Sequence, residues 1–497
     1  MREIGVPSLP HERFRSVLAA EPCSRFGNGL ERACGQLEGR TLWHVNSTAQ
    51  GGGVAEMLHT VLGYLAGAGI RTRWQVIEGD DEFFEVTKRI HNLLHGEAGD
   101  GGELGQRERV VYERNMAAAA QELRPLVNAG DVVVLHDPQT AGLAQPLIGA
   151  GAHVIWSCHV GADQPNDLVR SAWHFLSGCV AHAHRTVFSR PAYAWEGLDP
   201  ARVAVIPPCI DAFSPKNQSL HPEVAESILK AANVLPGRPQ REPTFYRQQG
   251  APARVQRRAQ VTEDAPLPTD ASLVTQISRW DRLKDPIGVL RGFVEHVPEE
   301  LEAHLVLAGP TADAVRDDPE GAEVLDQVRA EWGRLPRSAR QRVHLVCIPM
   351  EDLEENGAVV NALQRHADVV VQKSLAEGFG LTVAEAMWKS RPVVGSRVGG
   401  IQDQVTHGVT GLLVDDPSDL RAFGCELSSL LEDRQCAEEM GERAHERVRD
   451  RYLTSSHLLD YLSLIGDVLQ GHGSTPEAAP RAVPVGADGL EPPTPSL

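Results

Sequence analysis

Residues 372–387 read Gln-Lys-Ser-Leu-Ala-Glu-Gly-Phe-Gly-Leu-Thr-Val-Ala-Glu-Ala-Met, and they give the strongest signal in the sequence. The apolar run Val369–Val371 predicts a strand, which leads through a glycine-containing loop into a helix beginning near Thr382. Free backbone N–H groups and the positive end of the helix dipole would then face an anion. Glu377 on the loop and Glu385 one turn into the helix could accept hydrogen bonds from hydroxyls of one ligand. On spacing alone, a capped helix with a surface glutamate fits equally well.

The rest of the chain alternates short apolar runs with helical patterns, which is typical of parallel βαβ units. In the first half, strands are predicted at Thr41–Asn46, Thr72–Ile77, Asp131–Leu135, His153–Cys158, Arg185–Ser189 and Val203–Ile206. The pattern restarts with strands at Ser272–Ile277, Ala303–Ala308, Arg342–Val346, Asp368–Gln372, Pro392–Gly395 and Gly411–Val414. The sequence therefore predicts two doubly wound α/β domains, the first ending near Cys209–Pro215.

Composition and charge restrict the ligands and the compartment. The chain has 497 residues and a formal net charge of -19, which argues against a nucleic-acid or anionic-membrane surface, because both need a basic patch. Its eight cysteines are scattered without a Cys-x-x-Cys pair, so neither a zinc site nor a redox pair is predicted. Met1–Phe14 lacks the apolar run of a signal peptide, and no stretch of about 18 apolar residues occurs. We expect a cytoplasmic protein.

Two common nucleotide-binding motifs are absent from the sequence. Gly51–Glu56 lacks the third glycine of Gly-x-Gly-x-x-Gly, and no Gly-x4-Gly-Lys-[Ser/Thr] segment occurs. A nicotinamide site and a P-loop are therefore disfavoured, and no cofactor is expected.

The segment from Glu377 to Glu385 matches the Glu-x7-Glu motif of retaining glycosyltransferases with the GT-B architecture, and it resembles that family closely. Ser278–Asp285 looks like the family's basic phosphate-binding segment, which implies that Arg279 and Lys284 bind the donor diphosphate. The resemblance implies that Glu377 orients the donor sugar and that Glu385 holds the ribose. It also assigns the loop and the helix start to donor binding, namely Gly378, Phe379, Gly380, Leu381 and Thr382.

The resemblance bears on metal use as well. The sequence lacks the Asp-x-Asp pair with which glycosyltransferases of the other main architecture hold a divalent metal. We therefore expect a metal-independent reaction in which Arg279, Lys284 and helix N-termini meet the charge of the diphosphate.

Segments of the first half add to the match: His44–Thr48 with Gly51–Glu56, Trp74–Gly79, Phe83–Lys88, His136–Gln139 and Trp156–His159. They are similar to those of the trehalose glycosyltransferring synthases. This similarity implies formation of trehalose from a nucleoside diphosphate glucose and free glucose, reversibly and with retention at the donor anomeric carbon.

The first half also holds weaker site candidates. His159 ends a predicted strand at the cleft edge and could bind the donor sugar, although a lone histidine there is more often structural. The resemblance favours a catalytic role. Asp137 and Gln139 follow a predicted strand at the edge where open sheets bind ligands, but turn chemistry explains them equally well. Gly52 and Gly53 would bring backbone to the leaving diphosphate.

The GT-B resemblance implies two facing Rossmann-like domains, a deep cleft between them and a C-terminal helix that crosses back. We predict residues 1–215 as the acceptor-side domain, 216–441 as the nucleotide-sugar domain and 442–469 as the crossing helix. Residues 236–269 are predicted as a partly ordered insertion and residues 470–497 as a disordered tail. The expected partners are a nucleoside diphosphate sugar and a small sugar acceptor, with a homodimer as one assembly that the sequence allows; neither nucleic acid nor membrane is expected.

Other functions stay open at this point. They are transfer to another acceptor, a sugar-nucleotide epimerase of the same architecture, and a catalytically silent protein that binds a sugar nucleotide as a signal. An epimerase needs no acceptor, so the identity of the product discriminates it. The presence of all four candidate donor ligands weighs against the catalytically silent protein. These are Glu377, Glu385, Arg279 and Lys284.

Overall fold

A seven-stranded sheet forms the first domain in a computed structural model that describes residues 1–49, 52–311 and 319–471. Its strands are β1 (Arg2–Ile4), β2 (Leu42–Asn46), β3 (Thr72–Val76), β4 (Val132–His136), β5 (His153–Cys158), β6 (Arg185–Phe188) and β7 (Val203–Val205). Their order is β1-β3-β2-β4-β5-β6-β7, with β1 antiparallel to β3 and the other pairs parallel. Every residue of β2 and β4 is buried, as expected for parallel strands that are covered on both faces.

Helices cover both faces of this sheet. They are α1 (Ala20–Gln36), α2 (Gly53–Gly67), α3 (Asp81–Leu94), α4 (Gln106–Leu123), α5 (Ala144–Ile148) and α6 (Asp167–Val180). One apolar core packs α3, α4 and α6 against the sheet around Trp156 and Phe188. The other packs α1 and α2 around Leu62 and Trp74.

A second seven-stranded sheet lies within the described residues of the other half. Its strands are β10 (Gln260–Thr262), β11 (Ser272–Ile277), β12 (Ala303–Pro310), β13 (Val343–Ile348), β14 (Val369–Gln372), β15 (Val393–Ser396) and β16 (Leu412–Val414). The order is β10-β13-β12-β11-β14-β15-β16, with β10 antiparallel at the edge and the other pairs parallel. The two doubly wound domains predicted from the alternation of patterns are therefore confirmed.

The helices of the second half pack on both faces of its sheet, except for the last one, which packs on the first domain. They are α7 (Pro222–Ala231), α8 (Pro286–His296), α9 (Pro319–Arg334), α10 (Arg337–Arg340), α11 (Leu353–His366), α12 (Leu381–Trp388), α13 (Ile401–Gln404), α14 (Leu420–Glu432), α15 (Arg434–Arg451) and α16 (Thr454–Gln470). One core contains α7, α11, α12 and α15, and the opposite core contains α8, α9 and α14.

Residues 236–269, predicted as a partly ordered insertion, are folded onto the second domain. They contain an antiparallel hairpin of β8 (Thr244–Tyr246) and β9 (Pro252–Arg254), followed by β10. Phe245 and Val255 are buried in the core around α7 and α11. The guanidinium of Arg247 pairs with Asp352 at 2.7 Å and with Glu354 at 2.6 Å. The prediction failed because isolated apolar anchors and ion pairs, rather than a periodic apolar face, order this segment.

The helix that returns to the first domain is α16, so the crossing helix begins later than the predicted residue 442. The preceding helix α15 stays with the second domain, where Ala444 and Val448 are buried. From Thr454 onward, α16 packs on α1 and α2, and Leu458 and Leu462 join the core of the first domain. Of the predicted tail, residues 472–497 lie outside the described residues. Among the helices that are described, none combines the length and apolarity needed to span a bilayer.

Candidate active site

The segment that links β14 to α12 forms the centre of the candidate site. Helix α12 begins at Leu381, one residue before the predicted start, and its N-cap is Gly380. The φ angle of Gly380 is 84°, a left-handed conformation that favours glycine. The hydroxyl of Tyr193, from the first domain, hydrogen-bonds to the backbone oxygens of Glu377 at 3.0 Å and Gly378 at 2.9 Å. The loop therefore lies where the two domains meet.

Glu377 on this loop forms an ion pair with Lys284, which lies in the segment after β11. Oε2 of Glu377 lies 2.6 Å from Nζ of Lys284, and the two side chains are only 10% and 18% exposed. The Ser374 hydroxyl lies 3.4 Å from the same oxygen. Arg279 lies farther out, with a side chain 57% exposed and Nη2 3.5 Å from Oδ2 of Asp281. The structure thus brings the first glutamate of the motif and one predicted diphosphate ligand together at the domain contact, and it places the second predicted ligand at a more open position.

A buried ion pair that the sequence reasoning missed holds the phosphate-binding segment against the loop. Lys373 is wholly buried, and its ammonium pairs with the carboxylate of Asp285. The backbone N–H of Leu375 donates to the oxygen of Leu283 at 2.7 Å. Because an unpaired buried ammonium is costly, the pair fixes the two segments relative to each other.

Glu385 is buried on α12, and two lysines surround it. Nζ of Lys216 lies 3.4 Å from Oε1 of Glu385 and 2.9 Å from both carboxylate oxygens of Glu56 on α2. Nζ of Lys389 donates to the backbone oxygen of Glu385 at 3.0 Å and to Oδ1 of Asn217 at 2.9 Å. Burial lowers the pKa of Lys389. Burial also opposes the charge on Lys216, but Glu385 and Glu56 raise its pKa above the ordinary value.

Asp137 and His159 contact each other at the edge of the first sheet. The backbone N–H of His159 donates to Oδ1 of Asp137 at 2.9 Å, and Asp137 has the uncommon φ angle of 62°. Burial raises the pKa of Asp137. Gln139 is half-buried nearby, and its Oε1 has no hydrogen-bond partner among the described residues. A Cβ added to Gly378 would lie 3.6 Å from the backbone oxygen of His159, so the two domains approach closely here; the adjacent Phe379 is buried.

Three stacked histidines run from β2 to the site. Nδ1 of His44 lies 3.0 Å from Nε2 of His136, and Nδ1 of His136 lies 3.4 Å from Nε2 of His159. Burial lowers the pKa of all three, to about 3 for His44, so they are neutral at pH 7. Nδ1 of His159 is buried and has no partner within the part of the chain that is described. Among the described residues, no group of three or more His, Cys, Asp or Glu side chains is arranged to hold a metal ion.

The sequence reasoning named His159 but not the two histidines behind it. His44 and His136 lie in segments that resemble the family, and both stand in otherwise apolar strands, but neither signal gave them a role. A histidine in a strand is usually satisfied structurally, so this signal does not identify a site.

The glycine loop of the first domain, here meaning Gly52 and Gly53, approaches the start of α12. Gly52 is the N-cap of α2 and Gly53 its first residue, whereas Gly51 lies outside the described residues. A Cβ added to Gly53 would lie 3.0 Å from Cδ1 of Leu381, and Thr382 follows as a half-buried residue. The N-terminal ends of two helices, one from each domain, therefore converge on the same place.

A buried arginine joins the domains beside the loop, and it too was missed. Arg190 is 8% exposed and pairs with Asp163 of the first domain, while its Nε lies 2.7 Å from Oδ2 of Asp403. Oδ2 of Asp163 also accepts a 2.8 Å hydrogen bond from Gly399 N–H. The φ angle of Gly399 is 48°, and an added Cβ would lie 1.6 Å from the backbone oxygen of Glu377. Only glycine allows this approach.

Sequence comparisons relate both halves of the chain to known proteins. The family described as "Trehalose synthase, N-terminal domain" matches residues 44–195, and "Glycosyl transferases group 1" matches residues 260–447. The trehalose synthase of Rubrobacter xylanophilus is 35% identical over 460 residues, which is 92% of this chain and 96% of the relative.

Solved structures share the architecture. The trehalose 6-phosphate synthase of Burkholderia multivorans superposes with a TM-score of 0.63 and 16% identity, covering 87% of this chain and 97% of that chain. HepE from Anabaena, solved in complex with UDP and glucose, gives a TM-score of 0.56 and 14% identity over 87% of this chain and 100% of its own. The GT-B architecture expected from the sequence is confirmed.

Proposed function

The chain belongs to the trehalose synthase family of glycosyltransferases, and we propose that it transfers glucose from a nucleoside diphosphate glucose to free glucose, forming trehalose reversibly. The observation that carries this proposal is the pairing of Glu377 with Lys284 at the contact between the domains. A nucleotide-sugar donor is further supported by the UDP and glucose in the HepE complex.

The donor diphosphate would lie between Lys284, Arg279 and the N-terminal end of α12. Lys284 supplies a fixed ammonium, Arg279 a more exposed guanidinium, and the helix its free N–H groups. These groups act where negative charge grows as the diphosphate leaves. In this proposal the reaction needs neither a metal ion nor a cofactor beyond the sugar nucleotide.

The two glutamates of the motif would hold different parts of the donor. Glu377, next to the diphosphate ligand Lys284, would accept hydrogen bonds from hydroxyls of the transferred glucose. Glu385, deeper on α12 and beside Lys216, would accept hydrogen bonds from the ribose. The first contact strengthens as the sugar gains positive charge, whereas the second is the same before and during transfer.

The acceptor glucose would approach from the first domain. Neutral His159 would offer Nδ1 to a sugar hydroxyl, and Gln139 would offer Oε1, since neither atom has a partner among the residues that the structure describes. Transfer breaks the bond from the donor anomeric carbon to the phosphate oxygen and forms a bond from that carbon to the acceptor oxygen. The departing phosphate oxygen takes the acceptor's proton on the face of attack, which gives retention without a protein nucleophile.

The test is to incubate the protein with UDP-, ADP- and GDP-glucose, each with glucose, glucose 6-phosphate, fructose or no acceptor. We expect trehalose only with free glucose, and release of one nucleoside diphosphate per disaccharide. A different disaccharide would refute glucose as the acceptor. An altered nucleotide sugar without acceptor would indicate an epimerase instead. The cytoplasmic location and the homodimer stay predictions.

A further inference from the structure

We propose that Lys216 is a positioning residue that links ribose binding at Glu385 to the placement of the glycine loop. Its ammonium contacts one carboxylate from each domain, Glu56 and Glu385. The proposal rests on the donor site described above, because it takes Glu385 as the ribose ligand.

The backbone around Lys216 is anchored to the second domain. The amide of Asn361 on α11 donates to the backbone oxygens of Pro215 at 3.0 Å and Gln218 at 2.9 Å, on either side of Lys216. A Cβ added to Gly357 on the same helix would lie 3.3 Å from the backbone nitrogen of Lys216. The backbone of Lys216 is therefore held by the second domain, while its side chain contacts Glu56 of the first domain.

Lys216 also supplies the charge that Glu385 needs. The side chain of Glu385 is 5% exposed, and burying a carboxylate is costly unless a cation pairs with it. The other nearby lysine, Lys389, uses its ammonium on backbone and amide oxygens. The two oxygens of a carboxylate accept several hydrogen bonds, so Glu385 can hold Lys216 and ribose hydroxyls together.

Glu56 carries the link to the glycine loop. Its backbone N–H donates to the oxygen of Gly52 at 3.1 Å, so it belongs to the turn that begins α2. In the same turn, Gly53 lies against Leu381 at the start of α12. Ordering of Glu385 by a bound nucleotide would therefore fix Lys216, Glu56 and the loop that faces the diphosphate.

The experiment compares four variants of the full chain with the unaltered protein: Lys216→Met, Lys216→Arg, Glu56→Gln and Lys230→Met. Lys216→Met removes both pairs, and Glu56→Gln removes the charge of the loop-side partner while keeping its shape. Lys230→Met is the matched control, because Lys230 is 10% exposed and pairs at 2.5 Å with Glu226 on α7. Titration with UDP, ADP and GDP gives nucleotide affinity, and kcat is measured at saturating donor.

We expect Lys216→Met to weaken nucleotide binding at least about tenfold, the scale of removing one partner of a buried charge pair. Lys216→Arg should restore part of this affinity. Glu56→Gln should keep nucleotide affinity, since Glu385 still pairs with Lys216. It should lower kcat, because the glycine loop loses the ion pair between Glu56 and Lys216. Lys230→Met should change neither quantity.

Unchanged affinity in Lys216→Met, or unchanged kcat in Glu56→Gln, would overturn the inference while leaving the proposed function intact. If Lys216→Met does not fold, the kcat of Glu56→Gln decides alone. If the unaltered protein binds none of these nucleotides, the proposed function fails and the inference fails with it.

Discussion

Nζ of Lys284 lies 2.6 Å from Oε2 of Glu377, although the two residues are 93 positions apart in the chain. One belongs to the segment after β11 and the other to the loop after β14, and these strands are neighbours in the second sheet. The carboxyl ends of adjacent parallel strands meet at one sheet edge, which is where open α/β sheets bind their ligands.

Replacement of Glu377 by Gln should act on the chemical step. The contact is to the transferring sugar, which gains positive charge as the diphosphate leaves, so kcat should fall by roughly 10²-fold. Nucleotide affinity should change little, because Lys284 and the start of α12 remain. Rates at saturating donor and titration with the nucleoside diphosphate separate the two effects. A loss of affinity with kcat preserved would make the motif a nucleotide clamp.

Replacement of Glu385 by Gln should act on binding. A ribose contact is equally strong in the ground and transition states, so its loss raises KM with a smaller effect on kcat. The neutral amide also leaves Lys216 with Glu56 as its one carboxylate partner within the described residues. The same two measurements apply, and a lower kcat at unchanged nucleotide affinity would disprove the assignment.

The fold was predictable where burial is continuous along the chain. Strands such as β4 and β14 are apolar runs between glycine or polar segments, and they were placed to within about two residues, as such boundaries usually are. The hairpin of β8 and β9 was not predicted, because its order depends on Arg247 reaching Asp352, 105 positions away. Single-sequence periodicity contains no such information.

The candidate site was also predictable only in part. Glu377, Glu385 and Lys284 belong to short local motifs, so a resemblance could indicate them. Lys216 stands in a linker with no motif, and its partners lie 160 positions before it and 169 after it. Arg190 likewise acquires its role only when Asp403 is brought to it by the approach of the two domains. Contacts between domains are the part that sequence patterns do not reveal.

The Arg190 pair should contribute measurably to stability. Arg190→Met leaves Asp163 and Asp403 without their cation, and we expect the free energy of unfolding to fall by about 2 kcal/mol. This is less than for a fully buried pair, because the two carboxylates are 34% and 37% exposed. Denaturant unfolding measures the change. The control is Arg202→Met, whose exposed pair with Asp199 at 3.8 Å should contribute almost nothing; equal effects of the two variants would contradict the prediction.

His44 should make stability fall in mild acid. Its pKa is lowered by burial to about 3 in the folded protein, so below its ordinary value of about 6.5 the unfolded chain gains a proton that the folded chain does not. The contribution of neutral His44 to the free energy of unfolding is therefore complete above pH 6.5, roughly the ordinary histidine pKa. It is lost as the pH falls toward the pKa of the folded state. His44→Gln removes it.

Unfolding free energies of the His44→Gln variant and the unaltered protein should diverge with pH accordingly. Their difference should change by about 1.4 kcal/mol per pH unit between roughly pH 6 and pH 4. Urea titrations across this range measure it. A constant difference between the two proteins would show that His44 does not remain neutral in the fold.

Activity should survive removal of divalent metal. Lys284, Arg279 and the N-terminal end of α12 supply the positive charge for the diphosphate, so excess chelator should leave kcat nearly unchanged. The assay compares chelator alone with chelator followed by excess magnesium. Complete loss of turnover that magnesium restores would refute the metal-free reaction.

Transfer of glucose with retention can be followed through the fate of a labelled anomeric carbon. The donor is a nucleoside diphosphate glucose labelled with ¹³C at C1 of glucose, the acceptor is unlabelled glucose, and NMR follows the labelled carbon. We expect the label to appear in α,α-trehalose with the α configuration kept and the nucleoside diphosphate to be released in equal amount. Label that stays on the nucleotide in an altered sugar, or that enters a β-linked disaccharide, would contradict it.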